Sequence, residues 1–549
     1  MADWSDLSRR QLIGTGALAG AGLLLPGRLG AKAPPPAPLG GFTHGVASGE
    51  PGPTSMLFWT RFQGSGDTAV PLKLEVSTDP RMVRTRVMGE AIADPARDWT
   101  ARVTVKGLSP GTTYYYRWAG PAKSKSILGR TKTLPEGSPA AWRMAVFSCS
   151  NLPFGWFNGY AHAVAADDFD LFVHLGDYIY EYARGTYPSL REAVAGRSIE
   201  PPGELINRAD YWARYRSYRA DADLQALHAA HPSVTVWDDH EVANDAWRNG
   251  AENHDPKTEG SWPARVAAAV GAYRDWMPVS DADYARYDIG RLATLYRLET
   301  RVTGRDQQLD LEAAIKRGPD TLTALKRLRD EDWVAGDRQL LGYAQEQWLF
   351  REMEGASRRG VRWQVLAQQV VMGPLKMPAG ASQLAGPNPP AAVAAFLGAA
   401  ELAAKIGLPI NFDSWDGYPA ARARLLATAQ RNAVDLVVLA GDSHNGWAND
   451  LVNDGRPAGV EFAGQSVTSP GYETYLSAPP ATVAAALMQA NPTLRWADTS
   501  RRGYMRVTLT PAEAACEWRF TAPVATRSTR LAGSVTGRTL AGQRRLQMG

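Results

Sequence analysis

The sequence predicts an α/β protein in which a layered, βαβ-rich domain follows a small all-β domain, and three observations carry that expectation. In the larger part, short β-branched runs end abruptly in acidic and imidazole side chains, as in Val234-Thr-Val-Trp-Asp-Asp-His-Glu-Val-Ala-Asn-Asp-Ala-Trp247. From residue 140 onward such runs alternate with helical patterns, the signature of βαβ units. From residue 41 to 134 the text is strand alone, split by Gly, Pro and Asp turns. At 549 residues the chain also exceeds the roughly 250–300 residues at which a single core stops growing, so at least two domains are expected.

Residues 1–33 form the first element, an export signal rather than part of the fold. Arg9 and Arg10 stand just before the Gly/Ala/Leu-rich run from Ile13 to Leu25, which is too short and too weakly apolar for a typical spanning helix. The pair resembles a twin-arginine (Tat) signal, which names the Tat export machinery as a partner and a periplasmic or secreted location, with no stable membrane span in the mature form. Pro34 follows the small-x-small triplet Ala31-Lys32-Ala33 and would hinder cleavage there, so a cut elsewhere and retention as an anchor both stay open. Residues 34–41 are a stiff proline-rich spacer.

Residues 42–135 make the β domain, with strands expected at Ser55 to Arg61, Leu72 to Ser77, Trp99 to Val105 and Thr112 to Trp118. Leu108-Ser-Pro-Gly-Thr-Thr-Tyr114 resembles the corner of fibronectin type III-like sandwiches, where a tyrosine hydroxyl bonds back to the backbone. Pro135 to Pro139 is the linker, and residues 140–522 form the catalytic-type domain. Within it a helix is expected from Tyr211 to Ala230 and another from Gln345 to Ser357, feeding a strand at Val361 to Leu366. Pro374 to Pro390 reads as a loop near the site mouth and Ala392 to Ile406 as a short helix. Residues 523–549 are polar and basic, either a disordered tail or a capping helix.

Composition narrows the function. Sixty basic against 56 acidic residues leave a formal charge of +4, which gives no electrostatic case for nucleic-acid binding but is compatible with a small phosphorylated substrate. Two cysteines, Cys149 and Cys516, are too few for a disulfide scaffold and too distant for a CxxC motif. Cys149 reads as a ligand candidate and Cys516 as a buried strand residue.

Four apolar runs end in chemistry-bearing residues. Trp142 to Phe147 leads to Cys149 and Asn151; Asp170 to Leu175 leads to Gly176, Asp177 and Tyr180; Val234 to Trp237 leads to Asp238, Asp239 and His240; Val434 to Leu439 leads to Gly441, Asp442 and His444. Open α/β sheets bind ligands beyond the carboxyl ends of their strands, so these side chains are placed for chemistry rather than packing. Together they point to one shared polynuclear metal site. His174, inside an apolar strand, reads as core; Trp237, Trp247 and Trp348 read as packing.

At these motifs the chain resembles the PhoD family of alkaline phosphatases, a branch of the calcineurin-like metallophosphoesterases. The resemblance runs from the twin arginine through Phe42-Thr-His-Gly-Val-Ala-Ser-Gly49 and the ordered Cys, Gly-Asp-x-x-Tyr, Asp-Asp-His-Glu and Gly-Asp-x-His motifs to Thr468-Ser469-Pro470. It implies an αββα sandwich for the catalytic domain and hydrolysis of small-molecule phosphate monoesters, diesters or both. It also implies an Fe(3+) site from Cys149, Asp177, Tyr180 and His444, with Asp177 bridging to a second site. Anionic oxygen and sulfur donors favour the higher charge. Asp239 and Asp442 offer hard oxygens suited to one or two Ca(2+) ions, and Asp238 either binds a further ion or orients the loop. Such ions activate water towards hydroxide at neutral pH and neutralise charge on the phosphoryl oxygens. His240 resembles the family's histidine that protonates the leaving group or binds phosphate, and Glu241 is expected to hold its imidazole.

Asn151 either contacts phosphate or caps a turn. Arg248 and Arg301 are candidate phosphate clamps, although a surface ion pair is the expected fate of each, and Glu299-Thr300-Arg301 stands where similar enzymes show Asp-x-Arg. Phe412 to Tyr418 lies near the pocket as a substrate contact or a simple turn. Rival readings are a phospholipid or nucleotide diesterase and, from a different class, a surface binding protein using metals only for stability.

Overall fold

The computed structural model describes residues 41–389 and 391–549, so the twin-arginine signal and most of the proline-rich spacer lie outside the described residues. Strands Trp142–Phe147, Leu171–His174 and Ser233–Thr235 are buried almost throughout, as their continuous apolar text requires, and they pair in parallel at the centre of a ten-stranded sheet. A seven-stranded sheet carries a second parallel run: Ala293–Arg297, Trp363–Ala367, Asp435–Ala440 and Arg456–Ala463. The sheets face each other across a core containing Met144, Val146, Val173, Val365, Val437 and Leu439. Helices Asn158–Ala166, Arg208–Arg219, Ala222–Ala230 and Trp262–Trp276 cover the outer face of the first sheet, and Tyr343–Arg358 and Pro419–Arg431 cover the second. The result is the expected helix–sheet–sheet–helix sandwich, with the carboxyl ends of both parallel runs at one edge.

The N-terminal strands form the expected β-sandwich. Arg86–Ala93, Val70–Ser77, Thr113–Ala119 and Gly129–Lys132 make a four-stranded sheet packed through Leu74, Tyr116 and Trp118 onto Val46, Phe58 and Val105. The tyrosine corner is present, with the Ser109 N–H donating to the Tyr114 hydroxyl at 2.8 Å. The other face of the sandwich is continuous with the larger domain: Gly41–Gly49 adds in parallel beside Ser233–Thr235 through the Gly49–Ser233 pair. Glu50 adds an ion pair to Arg297 and accepts from the Tyr287 hydroxyl at 2.9 Å.

Two expectations need correction. Tyr211 to Ala230 is not one helix, because Asp221 accepts from the N–H groups of Asp223 and Leu224 and so starts a second helix. Residues 523–549 are neither tail nor helix: Leu531–Leu540 pairs antiparallel with Glu513–Thr521, and Gln547–Met548 pairs with it in turn. Gly537 and Thr539 are buried and Arg538 is exposed, while Val535, Leu546 and Met548 pack on the core between the sheets, so a sparse apolar pattern and backbone pairing together hold this strand. Cys149 and Cys516 are both free and buried. Residues 374–389 form a loop with one short helix, Ala381–Leu384, and the helix Ala391–Lys405 comes next among the described residues. Among the described residues no helix is long and apolar enough to cross a membrane.

Candidate metal centre and its relatives

Four of the seven candidate ligands sit in a backbone conformation that ordinary side chains disfavour. Cys149, Asp177, Asp442 and His444 all hold positive φ, between 52° and 60°. Left-handed backbone at non-glycine residues costs of order 1–3 kcal/mol each and collects at functional sites. Two glycines let the strand ends converge: a Cβ on Gly176 would meet the Asp238 backbone nitrogen at 2.5 Å, and one on Gly441 would meet the Ser148 Cβ at 2.6 Å. Cys149 and Ser150 then extend the strand pairing past the sheet, their N–H groups donating to the carbonyls of Gly176 and Asp177.

Three overlapping groups result: Cys149, Asp177 and His444; Asp177, Asp239 and His240; Asp238, Asp239 and Asp442, each with its ligand atoms within 4.8 Å of one another. Asp177 and Asp239 each belong to two groups, and Asp177 is the carboxylate that joins the Cys149 and His444 side to Asp239. Tyr180 adds its phenol, 3.0 Å from Asp177 Oδ2, 3.4 Å from His444 Nε2 and 2.7 Å from Ser469 Oγ. The Thr468-Ser-Pro470 turn also supports His444, whose Nδ1 lies 2.9 Å from the Pro470 carbonyl, leaving Nε2 towards the cluster.

The donor chemistry fits bound cations. Asp177 Oδ1 and Asp238 Oδ2 are buried with no hydrogen-bond partner, a costly state for carboxylate oxygens. Burial, and then the Asp177 charge, push the Cys149 thiol and the Tyr180 phenol well above their ordinary pKa values. Burial likewise raises Asp442 to about 8 and Asp238 well above the carboxylate range, although Arg301 opposes both. A cation reverses this logic, since coordination deprotonates thiols and phenols outright.

His240 stands beside this cluster with its ring 4.3 Å from that of Tyr180. Glu241 does not hold its imidazole. Buried Glu241 accepts instead from the N–H groups of Asp177, at 3.1 Å, and Asp238, at 2.7 Å, tying the two ligand loops together. The partner is Glu181, whose Oε2 lies 2.7 Å from His240 Nδ1 while Oε1 accepts from the Asn244 N–H and the Asn253 amide, both at 2.8 Å. Burial disfavours the imidazolium, but the charges of Asp239, Glu181 and Asp177 outweigh it and raise the His240 pKa well above ordinary. Glu181 was visible as the second carboxylate of the aromatic loop that begins at Asp177, directly after Tyr180.

The largest departure is Arg301, which is not a surface residue. Its fully buried guanidinium reaches Asp238, donates to Asp442 at 3.0 Å and to Asp413 at 2.8 and 2.9 Å, and lies 3.7 Å from Asp239. Arg305 also binds Asp413. The Phe412–Tyr418 turn thus anchors the arginine that compensates the acidic cluster. Arg248 stays outside, half exposed and ion-paired to Asp306 at 2.6 Å. Asn151 makes no cap bond; its amide donates to the Tyr187 carbonyl at 3.3 Å and its Oδ1 is buried without a partner. His174 is core, bonded to the Tyr160 hydroxyl at 2.9 Å. Trp237 is also buried, donating to Glu299.

Known proteins match this fold and motif order. The PhoD-like phosphatase model matches residues 144–518, and the PhoD-like phosphatase N-terminal domain matches residues 30–135. Alkaline phosphatase D of Bacillus subtilis (strain 168) is 32% identical over 517 residues, covering 89% of this chain and 80% of that protein. A solved structure of PhoD superposes with a TM-score of 0.76 at 29% identity, covering 94% of this chain and 93% of the other. The chain belongs to the PhoD-like phosphatase family and is a phosphoric ester hydrolase.

Proposed function

We propose that this chain is an exported, metal-dependent phosphoesterase that releases phosphate from organic phosphate esters at the strand-end cluster. What carries the reading is the convergence of Cys149, Asp177, Tyr180 and His444 on one side and Asp238, Asp239 and Asp442 on the other, with orphaned buried oxygens on Asp177 and Asp238. The first set would hold Fe(3+), the second Ca(2+), with Asp177 between them. When bound, the ions supply a nucleophile at neutral pH and offset charge on the phosphoryl oxygens.

The chain's own residues do the rest. Glu181 fixes His240 through Nδ1, so Nε2 is the nitrogen that can give a proton to the departing alkoxide. Glu241 and the glycine turns keep the ligand loops at their spacing. Arg301 offsets the acidic set, so the carboxylates can approach one another before any ion arrives.

Two variants test the reading together. Asp177→Asn is expected to abolish hydrolysis and lower the content of both metals, whereas His240→Ala is expected to keep the metals and slow turnover roughly 10²–10⁴-fold. Wild-type metal content and activity in Asp177→Asn would sink the bridging role. Export rests on Arg9 and Arg10: replacing both with lysine should leave folded enzyme in the cytoplasm, and normal secretion of that variant would contradict the route.

A further inference from the structure

An apolar pocket of about 290 Å³, partly open to solvent, is joined to the acidic cluster through two of its lining residues, Asn411 and Tyr472. Its walls come from five segments, the 374–389 loop, the helix Ala391–Lys405, residues 410–411, the stretch 472–476 and the helix Pro480–Ala490, and include Met377, Val393, Phe396, Leu397, Val483 and Leu487. The cavity holds roughly ten water volumes at about 30 Å³ each, yet its apolar walls give water few hydrogen bonds.

Two lining residues are hydrogen-bonded to the framework of the site. Asn411 lines the cavity and accepts from the Asp413 N–H at 2.9 Å, and Asp413 grips Arg301 at 2.8 and 2.9 Å. Tyr472 lines it from the other side, its N–H donating at 3.1 Å to Asn445, the residue after His444. An ester whose phosphoryl group sits on the cluster therefore has an apolar space next to its alcohol.

We propose that this cavity binds one unbranched alkyl chain of about eight to ten carbons on the alcohol side of the ester, which makes medium-chain alkyl phosphates preferred substrates. The proposal rests on the phosphoesterase reading above. A methylene occupies roughly the volume of a water, so about ten fit, whereas the two chains of a membrane diacyl lipid would need roughly three times that space. In the reaction the oxygen of water forms the new P–O bond, the P–O bond to the alkyl alcohol breaks, and the alcohol leaves with a proton. The chain is thus part of the leaving group.

The test measures kcat/KM of the metal-replete, full-length enzyme for n-alkyl phosphates from ethyl to dodecyl, below their micelle concentrations. The expected result is a rise of up to about fourfold per methylene that levels off near octyl to decyl. Leu397→Arg, which places a charge in the cavity, should lower the octyl-to-ethyl ratio at least tenfold, and Ala381→Phe, which fills it, should move the plateau to shorter chains. A flat series with ethyl phosphate still hydrolysed overturns the cavity assignment and leaves the phosphoesterase reading standing; so does a rise that continues unbroken to dodecyl. If no ester is hydrolysed, the phosphoesterase reading fails. Calorimetric binding of octylphosphonate and methylphosphonate then decides the cavity alone, with equal affinities counting against it.

Discussion

Glu181→Gln removes one charge and keeps the shape. In the native protein the Glu181 carboxylate lies 2.7 Å from His240 Nδ1 and is itself held by Asn244 and Asn253. A unit charge about 4 Å from the imidazolium at an effective dielectric near 20 is worth about 4 kcal/mol, an upper bound of roughly a thousandfold in proton affinity. The glutamine oxygen can still accept from Asn244 and Asn253, so its amide nitrogen faces Nδ1 and donates where the carboxylate accepted. The imidazole is then held neutral, a far weaker acid. Turnover of esters with poor leaving groups such as phenyl phosphate should fall about 10- to 10³-fold, bounded above by the loss in His240→Ala. Esters of strongly acidic alcohols such as 2,4-dinitrophenol should lose little, because their alkoxides leave without a proton. Metal content should match wild type, and Glu181→Asp should recover part of the rate. Steady-state kinetics across a leaving-group series, with elemental analysis, give the answer. A loss under threefold for every leaving group would refute the assignment of Glu181 as the residue positioning His240.

Two further outcomes follow from buried charge. Arg301→Met leaves Asp238, Asp413 and Asp442 without their common cation, so chelated protein should lose about 3–5 kcal/mol of stability by denaturant unfolding, and added divalent ions should restore part of it; equal stability of variant and wild type in chelator would contradict the compensating role. Burial lowers the pKa of His231 to about 4, with the Arg130 charge assisting, so between its unfolded pKa near 6.5 and about 4 the unfolded chain binds the extra proton and stability falls on acidification. His231→Gln should flatten that slope by up to about 1.4 kcal/mol per pH unit, and an unchanged slope would show that His231 is not a source of acid lability.

The candidate ligands were legible as a group because local sequence marks them: a buried apolar run stops where acidic or sulfur side chains begin, and the four such stops, three from the ten-stranded sheet and one from the seven-stranded sheet, lie at the same edge of the sandwich. The fold class followed from the same alternation. What stayed hidden depends on long-range convergence. Arg301 meets Asp238 and Asp413 across 63 and 112 residues of sequence, and a fully buried arginine is rare unless paired, so local text favoured the surface. Glu241 sat next to His240 in sequence, but the N–H groups at two ligand turns claim it, while Glu181 arrives from another strand end. The C-terminal strand was hidden for the opposite reason: its apolar contacts are sparse, Val535 within it and Leu546 and Met548 after it, and the polar and glycine residues between them carry no regular apolar alternation.

The visible spectrum and iron content of purified, active enzyme test the central claim most directly. A phenolate on Fe(3+) donates electron density to the metal and gives a charge-transfer band, whereas Ca(2+), Mg(2+) and Zn(2+) sites are colourless. With Tyr180 3.0 Å from Asp177 and 3.4 Å from His444, the protein should be coloured and contain iron, Tyr180→Phe should remove most of the band, and Cys149→Ser should shift or bleach it. Colourless, iron-free protein with full activity would contradict the account and point to a centre of divalent ions alone.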